Sequence, residues 1–174
     1  MLKKNSGQIW VETVIYTLIG LAIIGVLLSL VKPAIEEKKD QILLEQNLDI
    51  LNSIDNVVED IRYYGVGNSR ILEIKIRKGE LIINSTGNFI KFVMESRYMY
   101  SEPEQVVEIG RVKALTKKKR KIYDVSLILN YSNSINLTWS GEENTKIFQA
   151  SPTPYKIRVT NIGKIGDLVN IDFT

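Results

Sequence analysis

Residues 9–31 form one unbroken apolar run, IWVETVIYTLIGLAIIGVLLSLV, in which Glu12 is the only charge. No other feature constrains the chain so tightly. As a helix rising ~1.5 Å per residue, these 23 positions extend about 35 Å, enough to cross the ~30 Å hydrocarbon layer of a bilayer. A removable secretory signal has a shorter apolar stretch followed by a small-residue cleavage site, and Ser29-Leu30-Val31-Lys32-Pro33 offers none. The run is therefore expected to stay with the mature protein. Lys3 and Lys4 precede it with no acidic neighbour, whereas Lys32, Lys38 and Lys39 beyond it are offset by Glu36, Glu37 and Asp40. That asymmetry predicts a cytoplasmic N-terminus and an exported remainder.

The rest of the chain reads as a folded domain. At 174 residues there is room for one globular domain plus an extended segment. Pro33 lacks an amide hydrogen and should end or kink the helix near that point. Helical periodicity resumes beyond it to about Arg62, with Leu44, Leu48, Leu51, Ile54, Val58 and Ile61 recurring at three- and four-residue steps. This stripe is expected to dock on a sheet. The period then changes to two. Strands are predicted at 70–77, at LIIN after the Lys78-Gly79-Glu80 turn, and at FIKFVM after the Asn84-Ser85-Thr86-Gly87-Asn88 turn. Further strands are expected at 106–115, 122–131, 135–139, 155–160 and 168–173. The fold class read from this pattern is α+β, a long N-terminal hydrophobic helix followed by an antiparallel, β-sandwich-like head.

Composition removes several chemistries. The chain has neither cysteine nor histidine, so thiolate chemistry and the commonest general base and metal ligand are missing together. The motif Gly65-Val66-Gly67-Asn68-Ser69-Arg70 lacks the third glycine of a dinucleotide fingerprint and precedes a strand, the wrong order for phosphate binding. Glu142, Glu143 and Asp167 have no calcium-loop spacing. No catalytic, cofactor-binding or metal-ligating residue is nominated, no cofactor is expected, and an enzyme is not the expected reading. The net charge of +3 is too slight to argue for nucleic acid.

Taken alone, Glu12 supports two readings. It can be a first-turn glutamate favoured by the helix dipole, or a carboxylate kept in an apolar helix to meet a partner. The residues around it add a pattern. Lys3-Lys4-Asn5-Ser6-Gly7-Gln8, followed by an apolar run with glutamate as the fifth residue after Gly7, resembles the class III signal of type IV prepilins and archaellins. The stretch GQIWVETVIYTLIG, from Gly7 to Gly20, is similar to archaeal pilin-like proteins.

The resemblance implies recognition of Lys3 and Lys4 by a membrane peptidase and cleavage between Gly7 and Gln8. A new ammonium at Gln8 would lie one helical turn from Glu12, which could pair with it in the same subunit or in the next subunit of a filament. On this reading residues 1–7 are a signal peptide, 8–62 a membrane and filament-core helix with an amphipathic stem, and 63–174 an extracellular β-rich head. The implied function is a structural subunit of a type IV pilus-like adhesive filament. Its implied partners are copies of itself or related pilins, the prepilin peptidase, and an assembly ATPase with its membrane platform. Membrane lipid would surround the helix before assembly. The alternative is a minor pilin-like or membrane-anchored extracellular binding protein that builds no filament alone.

Two further features sit in the head. Lys117, Lys118, Lys119, Arg120 and Lys121 form the strongest charge run, read as a solvated hairpin turn, with contact to an anionic polymer as the functional reading. Sequons occur at Asn84, Asn130 and Asn136. Export is compatible with glycosylation, and the resemblance implies surface glycans. Asn84 and Asn136 are the preferred acceptors, since Asn130 falls at a predicted strand.

Overall fold

The computed structural model describes residues 6–174, with side chains from Ile9 onward. The chain divides into two compact units, the first ending at Lys38 and the second spanning Lys39–Thr174. Helix α1 (Ser6–Tyr64) contributes residues to both.

In the first unit the apolar side chains are exposed, among them Trp10, Tyr16, Leu18, Leu21, Leu28 and Leu30. α1 is long and apolar enough to cross a membrane. Three hydroxyls in the apolar run bond back along the helix. The Thr13 hydroxyl donates to the Ile9 carbonyl at 2.9 Å, Thr17 to Thr13 at 2.8 Å, and Ser29 to Val26 at 2.7 Å. Such back-bonding lets a hydroxyl sit where no water reaches it. Pro33 lies inside α1 and does not end it. A proline removes a single amide donor, and the turns on either side hold the helix together.

The second unit is built on residues 39–64 of α1. Leu44, Leu51, Ile54, Val58 and Ile61 are fully or almost fully buried, and Leu48 packs against the same core at its margin. The stripe read from periodicity is the spine of this unit. α1 ends two residues beyond the expected stem. Gly65 and Gly67 take φ of +88° and +85°, and the Asn68 side-chain amide donates to the carbonyls of Tyr64 and Gly65 at 2.8 and 3.1 Å. A left-handed residue followed by a side-chain donor is a common way to satisfy the last helical carbonyls.

Ten strands follow, β1 (Ser69–Ile74), β2 (Glu80–Asn84), β3 (Phe89–Ser96), β4 (Val106–Ile109), β5 (Val112–Lys119), β6 (Ile122–Asn130), β7 (Ile135–Trp139), β8 (Thr145–Gln149), β9 (Tyr155–Ile165) and β10 (Leu168–Phe173). They form two sheets, a four-stranded one in the order β1-β9-β10-β7 and a six-stranded one in the order β4-β5-β6-β3-β2-β8. The class is α+β. One apolar cluster joins both sheets to the helix, with Leu81, Ile83, Phe92, Met94 and Leu127 from the larger sheet and Ile157, Val159, Ile171 and Phe173 from the smaller.

Several strand expectations need correction. β1 ends at Ile74, short of the expected 77, and β9 runs on to Ile165, past the expected 160. Residues 106–115 are two strands, since Gly110 at φ +60° turns the chain between β4 and β5. β8 was not anticipated from its sequence TKIFQ, in which Phe148 alone is buried. The pairing is also not wholly antiparallel. β7 and β10 run parallel, with Ile135 opposite Val169 and Trp139 opposite Phe173.

Candidate functional site

The N-terminal candidates fall at the edge of what is described. Lys3 and Lys4 lie outside the described residues, and Gly7 and Gln8 are described only as backbone of α1. Glu12 is exposed on the helix, surrounded in sequence by exposed Ile9, Trp10, Val11, Ile15 and Tyr16. Gln8 and Glu12 are four residues apart in continuous helix, the spacing at which side chains share one face. Unit one thus presents an apolar cylinder with a carboxylate near one end. Such a surface is suited to lipid or to packing against other helices, where a carboxylate must find a cationic partner.

In the second unit the helix is held to the sheets by buried polar anchors. Asp40 is 6% exposed; its carboxylate accepts the Arg97 amide at 2.8 Å and pairs with the Lys78 ammonium. Two turns of α1 later, Asn47 donates to the Met94 sulfur at 3.7 Å. Farther along, the Tyr131 hydroxyl donates to Asp55 at 2.8 Å, and Arg111 reaches Asp55 at 3.1 Å and also pairs with Glu59. The Arg111 guanidinium lies 5.3 Å from the centre of the fully buried Tyr131 ring. At the helix end, the Asn161 amide donates to the Ile61 carbonyl at 3.2 Å.

These contacts shift titrations in predictable directions. Burial, reinforced by the adjacent Asp55 charge and hydrogen bond, pushes the Tyr131 hydroxyl far above the ordinary tyrosine value. Partial burial opposes the charge on Arg111, but the hydrogen bond to Glu59 and the Asp55 charge outweigh it and raise the value. None of these anchors was read from the sequence. Their partners are 57 residues apart for Asp40 and Arg97, and 76 for Asp55 and Tyr131.

The charge run 117–121 closes the β5–β6 hairpin, with Arg120 in the left-handed region at φ +53°. Lys119 is not a free cation. It pairs with Glu95 at 2.7 Å and approaches Asp124 at 3.8 Å, and its hydrogen bond draws the exposed Glu95 carboxyl below its usual range. The sequons are placed differently from expectation. Asn136 lies inside β7, 9% exposed, with its amide donated to Asn170 at 3.2 Å. β7 would have to open for that nitrogen to be modified. Asn84 is half-buried and its oxygen accepts the Gly87 amide at 2.6 Å. Asn130, at the end of β6, is exposed, its oxygen bonded by the Ser132 amide at 2.9 Å.

On the face of the smaller sheet turned away from the core, Asn136, Thr138, Asn170 and Asp172 form a buried polar ladder. Thr138 and the Gly141 amide both donate to Asp172 at 2.7 Å. These bonds pin the parallel β7–β10 pair and the turn after β7. Among the described residues no group of three or more acidic side chains is gathered as a metal site. Comparison of the chain with family models, with curated proteins and with solved structures finds no match.

Proposed function

We propose that the chain is a subunit of a type IV pilus-like surface filament, held in the membrane by α1 before assembly and trimmed between Gly7 and Gln8. One observation carries the reading. A single helix exposes its apolar first half, including Glu12, while residues 39–64 of the same helix form the spine of a β-rich domain. An apolar helix four turns or more in length cannot remain bare in water, since burying each large aliphatic side chain is worth about 1.5–3 kcal/mol. Lipid covers it in the membrane, and like helices cover it in a fibre. In the fibre Glu12 meets the amine exposed at Gln8, in its own subunit or the next, and that pair sets the axial register of neighbours. The two sheets with their shared core then serve as the sandwich-like head of a pilin-like subunit, outside the cell and available for adhesion.

The test is the mature N-terminus. Intact-mass and peptide mass spectrometry of the protein from its own cells should find chains that start at Gln8. Electron microscopy of sheared surface material should then show fibres carrying it. Chains starting at Met1 or Leu2 would remove the processing step and reduce the protein to a tethered β-domain. Cleaved chains without fibres would assign it to the minor, non-polymerising class.

A further inference from the structure

The outer surface of the smaller sheet carries cations that the fold does not neutralise. Along β1 and its continuation, burial alternates, with Ile74 and Ile76 in the core and Lys75 and Arg77 exposed between and beyond them. On β9, exposed Lys156 and Arg158 flank buried Ile157 and stand opposite Glu73 and Ile71. Among the described residues, none of these four cations is ion-paired. Elsewhere in the unit Arg62, Lys78, Arg111, Lys113 and Lys119 each have a carboxylate within 4 Å.

The same four residues border two open hollows. One, of about 450 Å³, is lined by Lys75, Arg77, Ala150, Ser151 and Pro152. The other, of about 290 Å³, is lined by Ile71, Lys156, Arg158 and Thr174. Ile71, at the border of one hollow, and Lys75, at the border of the other, are four positions apart along the chain. The acidic residue on the exposed face between them is Glu73. Ser151 lines the larger hollow, and its hydroxyl lies 3.1 Å from that of Thr153.

We infer that this face binds an anionic polysaccharide, its carboxylates or sulfates seated over the Lys75/Arg77 and Lys156/Arg158 pairs and its sugar hydroxyls against Ser151 and Thr153. Two neighbouring cationic hollows suit a polymer better than a single small anion. Single-stranded nucleic acid needs aromatic faces on which bases stack. The ring on β9 beside these cations, Tyr155, is instead packed edge-on 5.0 Å from Phe148, which in turn meets Trp139 edge-on at 5.5 Å. The lysine-rich hairpin at 117–121 has the higher charge density, but Lys119 is engaged by Glu95 and Asp124, whereas Lys75, Arg77, Lys156 and Arg158 line the two hollows.

The experiment uses the full chain in non-ionic detergent, so it does not depend on filament assembly. Binding is measured to immobilised polygalacturonate, with neutral dextran and duplex DNA as parallel surfaces. Wild type should bind polygalacturonate, weaken as salt rises, and ignore dextran. The K156E/R158E variant should lose at least about tenfold in affinity, through two lost attractions and two new repulsions. K75Q/R77Q should weaken binding in the same direction. K117E/K118E, with the same change of net charge as K156E/R158E, should stay within about twofold of wild type, since charges beyond a Debye length are screened. Circular dichroism confirms that each variant is folded. Equal losses in K156E/R158E and K117E/K118E would overturn the inference in favour of net charge alone. Duplex DNA bound as tightly as polygalacturonate would overturn the choice of polymer, and an unaffected K156E/R158E would overturn the site.

Discussion

Tyr131→Phe removes one oxygen from the middle of the helix–sheet contact and leaves the ring in place. The lost bond is the 2.8 Å donation to Asp55, whose side chain is 13% exposed. A buried hydrogen bond to a charged group contributes about 1.5–3 kcal/mol. Asp55 keeps Arg111 at 3.1 Å, so the carboxylate is not orphaned and the lower half of that range applies, about 2 kcal/mol. For a domain of this size that lowers the melting temperature by about 6–10 °C.

The same substitution has a signature at high pH. Unfolded tyrosine ionises near pH 10, and Tyr131 in the folded domain resists ionisation well beyond that. The contribution of a raised group is complete below the unfolded value and is lost as pH rises above it, here by about 1.4 kcal/mol per pH unit. The stability gap between wild type and Tyr131→Phe should therefore be constant up to about pH 10 and close within roughly one and a half units above it. Urea unfolding of the full chain in non-ionic micelles, followed by far-ultraviolet circular dichroism from pH 7 to 11.5, measures both effects. A variant as stable as wild type at pH 7 would refute the anchoring role. A gap that persists undiminished at pH 11.5 would refute the account of the hydroxyl's environment.

Gly79→Ala should destabilise the domain by more than about 2 kcal/mol, because φ is +89° and an added Cβ would lie 2.4 Å from the Val93 carbonyl oxygen; unchanged urea midpoints would contradict this. Leu51→Ala, at a fully buried position on the helix stripe, should cost about 2–5 kcal/mol in the same assay. On the filament reading proposed above, Glu12→Ala should leave cleavage before Gln8 intact while abolishing or shortening fibres seen by electron microscopy. Normal fibres would show that the carboxylate does not set register.

Legibility in the sequence followed the range of the interactions. The 135–139 and 168–173 strands agree with β7 and β10 end to end, because apolar Ile135, Leu137 and Trp139, and Val169, Ile171 and Phe173, alternate with polar residues in the sequence itself. The stem stripe was legible for the same reason, as Leu44, Leu51, Ile54, Val58 and Ile61 repeat at the helical period. β8 was not, because an edge strand with one buried residue has almost no alternation to read. The parallel β7–β10 pairing and the Asp55–Tyr131 anchor depend on segments more than 30 residues apart, about which local periodicity carries no information. Asn136 illustrates the same limit. Its tripeptide looks like an exposed acceptor, but the neighbouring strand supplies Asn170 and buries it.

The parallel pair has a consequence for how the smaller sheet closes. β7 touches only β10 within its sheet, and β10 lies between β9 and β7. Residues 135–139 are therefore synthesised well before the strand that gives them a hydrogen-bonded neighbour, and loop closure over such a separation is slow. Trp139 is set opposite Phe173, and the chain's other tryptophan, Trp10, lies in the apolar run. The emission of Trp139, isolated by replacing Trp10 with phenylalanine, would thus time the arrival of β10 beside β7 and show whether that step precedes or follows formation of the six-stranded sheet.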